Sequence, residues 1–68
     1  MNITPGKYRT RDGGDAIVLT VLDTTYDPVI GYRVEQCYDY NYPRPMKWER
    51  DGRIYTTFAD ADDLMERI

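Results

Sequence analysis

Three tyrosines alternate with polar residues in Tyr38-Asp39-Tyr40-Asn41-Tyr42, and Arg44 follows two positions later. Alternate side chains of an extended chain share a face. The three rings would then form a platform for stacking a base, with Arg44 placed to meet a phosphate. Arg9 and Arg11, or Arg50 and Arg53, would add a second cationic point. The same alternation also reads as a β-surface whose rings cover a small core, and Asp39 opposes a polyanion. Tyr, Trp, Met and Arg are, in addition, the residue types enriched at the centres of protein interfaces. Met46, Trp48 and Tyr55 lie close to the tyrosines in sequence, with arginines around them. The pattern therefore fits protein association as well as nucleotide stacking. The segment 42–45, Tyr-Pro-Arg-Pro, is held extended by its prolines and suits a stiff connector or a groove-docking strip.

Catalytic chemistry is poorly supplied. A Ser or Cys nucleophile needs a neighbouring base, and the chain contains no His and no Ser. Cys37, the only cysteine, has a Lys or a carboxylate as its sole candidate partner and reads as a small residue at a strand end. The carboxylate pairs (Asp12 with Asp15, Asp60 with Asp62 and Asp63) are explained by turns and a helix start. Residues 60–66 lack the glycine and the ligand spacing of a calcium loop. One thiol without histidine cannot build a zinc site. The expectation is a protein without enzymatic activity, cofactor or metal.

These side chains must be positioned by 68 residues, enough for one small domain spanning 1–68. Leu, Ile, Val and Phe number only thirteen, while seven Tyr and one Trp supply the missing burial. Domains of this size commonly lean on disulfides, metals or a partner chain. With the first two absent, an aromatic core or association with another chain remains, and a homodimer is a natural expectation. A single unpaired thiol suits a reducing, cytoplasmic setting. No apolar run approaches a membrane span, and the first residues lack the apolar stretch of a secretory signal. Residues 1–58 are charge-balanced and the last ten carry the entire net charge of −3. Duplex nucleic acid, which requires a basic excess, is therefore not an expected partner.

The punctuation is that of an all-β chain. Asp12-Gly13-Gly14-Asp15, a polar connection over 23–27, and Asp51-Gly52 mark turns. Between them lie strand-length runs over 7–11, 16–22 and 28–37. Residues 16–22 are nearly all apolar and read as the most buried strand. Gly31 marks a bulge or bend. Residues 38–45 are the least regular stretch, and 46–50 with 53–58 form a hairpin about Asp51-Gly52, in which a two-residue loop sets Trp48 opposite Tyr55 and a four-residue loop shifts these pairs. Asp60 suits an N-cap and Leu64 and Ile68 are four apart, which predicts a short terminal helix over 61–67. The fold expected is all-β with a minor helical element. It has five antiparallel strands curled into a bent sheet or an SH3-like barrel, with a short helix within 60–68.

Tyr8-Arg9-Thr10-Arg11-Asp12-Gly13, then Pro28-Val29-Ile30-Gly31, then Trp48 and Asp51-Gly52-Arg53-Ile54-Tyr55 before Asp63-Leu64 form a recognisable series. It resembles a class of very small phage- and prophage-encoded proteins that share a YRTRDG opening and a W…DGR-x-Y hairpin. The likeness spans nearly the whole chain. It implies expression inside a bacterial host cell and brings no catalytic residue set. The Tyr-rich segment 38–42 and the helix-like ending depart from the pattern and mark where a particular function was added. The expected activity is binding of a host protein, or of a second copy, through Tyr38, Tyr40, Tyr42, Arg44, Trp48, Tyr55, Arg9 and Arg11. Alternatives are sequestration of a nucleotide or oligonucleotide signal, and a minor virion or assembly component.

Overall fold

The computed structural model describes residues 2–23 and 26–68. The chain forms one antiparallel sheet of five strands: β1 (Gly6–Thr10), β2 (Asp15–Val21), β3 (Val29–Cys37), β4 (Tyr40–Trp48) and β5 (Leu64–Arg67). Their spatial order is β4-β3-β2-β1-β5. The first four strands run as a meander, and β5 returns to the free edge of β1. Among the described residues no helix is long and apolar enough to cross a membrane.

Turn chemistry fixes the meander. Between β1 and β2 the Thr10 N–H donates to the Gly14 carbonyl (2.9 Å), and Gly13 takes a positive φ of 88° that costs a glycine little. The connection expected over 23–27 includes residues 24 and 25, which lie outside the described residues. Between β3 and β4 the chain reverses in two residues, Tyr38 and Asp39, closed by the Cys37–Tyr40 pair.

One face of the sheet carries the core. Ile3, Tyr8, Ala16, Val18, Val29, Trp48 and Leu64 are buried there, with Val21, Met46 and Ile54 packed against them. Trp48 and Tyr8 are the two largest fully buried side chains, so rings supply much of the core. Residues 16–22, expected to be the most buried strand, are not uniformly so: Leu19 is 61 % exposed, and Leu22, just past β2, 48 %. The β2–β3 register shifts between Val18 and Thr20, opposite Gly31. Leu19 is the additional residue. It moves every later side chain to the other face, so that Val21 joins Val18 over the core.

Residues 38–45, expected to be irregular, form the turn and most of β4. The prolines are compatible with this because β4 is an edge strand. Counting from the closing pair Cys37–Tyr40, Pro43 and Pro45 fall opposite Val34 and Tyr32, at positions whose missing N–H would point out of the sheet.

The hairpin expected over 46–50 and 53–58 does not form. Asp51-Gly52 is a tight reversal, with Glu49 N–H donating to the Arg53 carbonyl (2.8 Å), but residues 53–58 leave the sheet. Trp48 pairs with Val29, not with Tyr55.

The short terminal helix is also replaced. Asp60–Asp63 make a turn in which the Asp60 Oδ1 accepts from the Asp62 N–H (2.9 Å), and β5 follows. Asp60 therefore caps a turn, and the open edge of β1 offers residues 64–67 ladder bonds worth more than a helix of barely two turns.

The expected all-β fold of five antiparallel strands is found, as the open sheet and not as the SH3-like barrel, because the sheet is not closed. No ladder joins its edges β4 and β5. They are bridged by Trp48 Nε1–H donating to the Asp62 carbonyl (2.9 Å) and Leu64 N–H donating to the Gly52 carbonyl (2.9 Å).

Candidate functional site

Beyond Arg33, which pairs with Ala16, β3 has no β2 partner in the register, while its pairing with β4 continues to the turn. Residues 34–43 thus project as a two-stranded arm, and the molecule measures 37 × 23 × 19 Å.

The root of the arm is a charge cluster. Arg33 and Arg44 face each other across the ladder, an arrangement that repels unless anions intervene. Three carboxylates do so. Asp62 accepts from Arg33 Nη1 (2.6 Å) and Arg44 Nη2 (2.9 Å). Glu35 lies 3.2 Å from Arg33 Nε and 2.9 Å from Arg44 Nε, and Asp12 accepts from Arg33 Nη2 (2.8 Å). The Arg33 side chain is only 13 % exposed. Hydrogen bonds from Arg33 and then Thr10 draw the Asp12 carboxyl down to about 2. Donating to Asp12 and Asp62 raises the Arg33 guanidinium, and donating to Asp62 raises that of Arg44. The cluster ties both strands of the arm to the β1–β2 turn and to the 60–63 turn.

A second carboxylate organises that last turn. Burial pushes the Asp63 carboxyl up, but N–H bonds from Ile54 and Asp60 and the Arg11 guanidinium outweigh burial and hold it below its ordinary value. Asp12 and Asp63 are both depressed in the folded state. The stability they contribute is therefore fully present above their unfolded values near 4 and is lost as pH falls through their lowered folded values, about 2 for Asp12. Asp12 is 39 % exposed, so screening limits its share to about 1 kcal/mol. Urea unfolding at stepped pH is expected to show a midpoint flat above pH ~4 and falling below it. Asp12→Asn should flatten that fall. A wild-type midpoint unchanged down to pH ~2 would contradict the cluster's role.

The tip carries the aromatic side chains. Tyr38 is 94 % exposed, Tyr40 57 % and Tyr42 42 %. The Tyr40 and Tyr42 rings share a face, with centroids 6.4 Å apart and planes at 50°. Tyr38 occupies the turn with a φ of 56°, a left-handed conformation that bulky side chains rarely adopt. The free thiol of Cys37 beside Tyr40 raises the Tyr40 phenol.

The remaining expected site residues lie elsewhere. Trp48 is wholly buried, so it belongs to the core and not to an aromatic surface. Tyr55 stacks on Phe58 with centroids 4.4 Å apart, a separate exposed pair. Arg9 binds Glu66 (2.9 Å) and Arg11 binds Asp63 (3.1 Å). Arg44, expected to meet a phosphate, is held by Glu35 and Asp62. Sequence reasoning missed Arg33, Asp12, Glu35 and Asp62 as the arm's anchor. The alternation Arg33-x-Glu35 on one strand face was the available signal. Among the described residues no group of three or more His, Cys, Asp or Glu is arranged to hold a metal. Comparison with protein-family models, with curated proteins and with solved structures finds no match to this chain.

Proposed function

We propose that this chain is a non-enzymatic accessory protein of phage type, acting in the cytoplasm of a bacterial host. It binds a host protein or a second copy of itself through the β3–β4 arm. The observation that carries this reading is Tyr38. Its ring is 94 % exposed and so adds almost nothing to the core, while its left-handed backbone costs roughly 1–2 kcal/mol. Strain of this kind, held at the tip of an anchored projection, is characteristic of recognition sites. The exposed rings of Tyr40 and Tyr42 continue the same surface. Nucleotide sequestration would use this ring pair too, but the arginines that would meet its phosphates (Arg9, Arg11 and Arg44) are each engaged by a carboxylate.

Tyr38→Gly is expected to raise unfolding stability by about 1 kcal/mol, because glycine takes a positive φ freely. Chemical denaturation checks this, and a loss of 1 kcal/mol or more would contradict the strain argument. The double variant Tyr38→Gly/Tyr40→Ser should therefore stay folded while losing its partner. Sedimentation velocity and capture from bacterial lysate, run beside the wild type, read the loss. Identical sedimentation and identical captured proteins would remove the arm from the account.

A further inference from the structure

We infer that the arm's partner presents a basic segment, a stretch carrying exposed arginine or lysine. This rests on the reading of the arm as the binding surface. From Val34 to Pro43 the chain carries Glu35 and Asp39 and no basic residue. At the root, Arg33 and Arg44 are matched by Asp12, Asp62 and Glu35 itself, so the cluster leaves no positive charge to offset Asp39. Asp39 sits between Tyr38 and Tyr40 at the tip and enters none of the ion pairs among the described residues. The faces of Tyr rings are electronegative, and a guanidinium near such a face is attracted to it. The tilted Tyr40 and Tyr42 rings present two such walls, with the Asp39 carboxylate on the same tip. On the opposite face of the arm, Tyr32, Val34, Asn41 and Pro43, with Tyr42 at the edge, line an apolar depression of about 440 Å³ where the stem of a neighbouring long side chain of the same partner could rest. A polyanion meets the opposite conditions, with exposed negative charge and arginines already bound.

Fluorescence anisotropy with the whole chain tests this, using a short labelled peptide that alternates glycine with arginine. Its glutamate counterpart and a labelled oligothymidylate serve as comparisons. The arginine peptide is expected to bind and to weaken with added salt, and the other two are expected not to bind. Tyr40→Ser and Tyr42→Ser should each weaken binding roughly 2–5-fold, the range of exposed cation–π contacts. Asp39→Lys should weaken it more than either. Absence of binding by the arginine peptide, or binding that Asp39→Lys leaves intact, would overturn the inference. Lysate capture separates this failure from failure of the arm itself. A protein lost with Tyr38→Gly/Tyr40→Ser but retained by Asp39→Lys keeps the arm and overturns the basic partner. Loss with both supports the basic partner, and loss with neither overturns both readings.

Discussion

Trp48→Ala is expected to cost about 3–5 kcal/mol, the usual range for deleting a buried Trp or Phe side chain. The indole is fully buried at the end of β4, beneath the reversal that leads to β5. It does two jobs there. Its ring is the largest fully buried side chain of a core that, among the described residues, holds seven buried apolar residues. Its Nε1–H satisfies the Asp62 carbonyl, which fixes the turn holding the arm's main counter-ion. A chain of this length has a total stability of roughly 3–10 kcal/mol, at about 0.05–0.15 kcal/mol per residue. The alanine variant should therefore lose roughly a third or more of the chain's stability. Trp48→Phe separates the two jobs, retaining most of the ring while leaving a partly buried carbonyl without its donor, at a cost of about 1 kcal/mol. Urea titration followed by far-ultraviolet circular dichroism distinguishes these outcomes. An alanine variant within ~1 kcal/mol of wild type would mean that the core is not centred on this ring.

Gly31→Ala is the second large effect, and it acts through backbone. A Cβ at this position would lie 1.9 Å from the Ile17 carbonyl oxygen, 2.9 Å from its carbon and 3.0 Å from the Val18 Cα. None of these atoms can rotate away, so β2 and β3 must separate where the bulge brings them together. The expected cost is at least about 3 kcal/mol, beyond ordinary overpacking, because no side-chain adjustment relieves the contact. Displacing β3 here would also move Arg33, two residues on, away from Asp12 and Asp62. The same denaturation experiment measures the loss. A wild-type midpoint for this variant would show that the two strands do not approach so closely.

These two residues also show what the sequence could and could not reveal. Gly31 interrupts a β-branched run, and that alone pointed to a bend. Nothing local said that the additional residue would be Leu19 on the facing strand, because a bulge belongs to a pair of strands and not to one. Asp51-Gly52 is a reversal, as expected, but the hairpin it suggested does not form, because residues 53–58 leave the sheet and the outer edge of β4 stays unpaired. The terminal helix failed for the complementary reason. Leu64 and Ile68 have helical spacing, yet the vacant edge of β1 took residues 64–67, and Ile68 ended 54 % exposed. The prolines of 43 and 45 hid β4, since their compatibility with a sheet depends on which side of the strand is open. At the site, the alternating tyrosines were visible as a surface. Their anchor was not, because Arg33, Asp12 and Asp62 come from three separate parts of the chain.

The central claim is that partners meet the arm at its exposed tyrosines. A photo-crosslinking phenylalanine analogue placed at position 38 in the intact chain, expressed in bacterial cells, tests this most directly, with the same analogue at the exposed Met65 on β5 as the comparison. Tyr38 makes too little contact for the change to disturb the fold. Discrete higher-mass adducts from position 38 and none from position 65 are the predicted result. Adducts from position 65 alone, or none from position 38 while the protein still captures a partner, would contradict it.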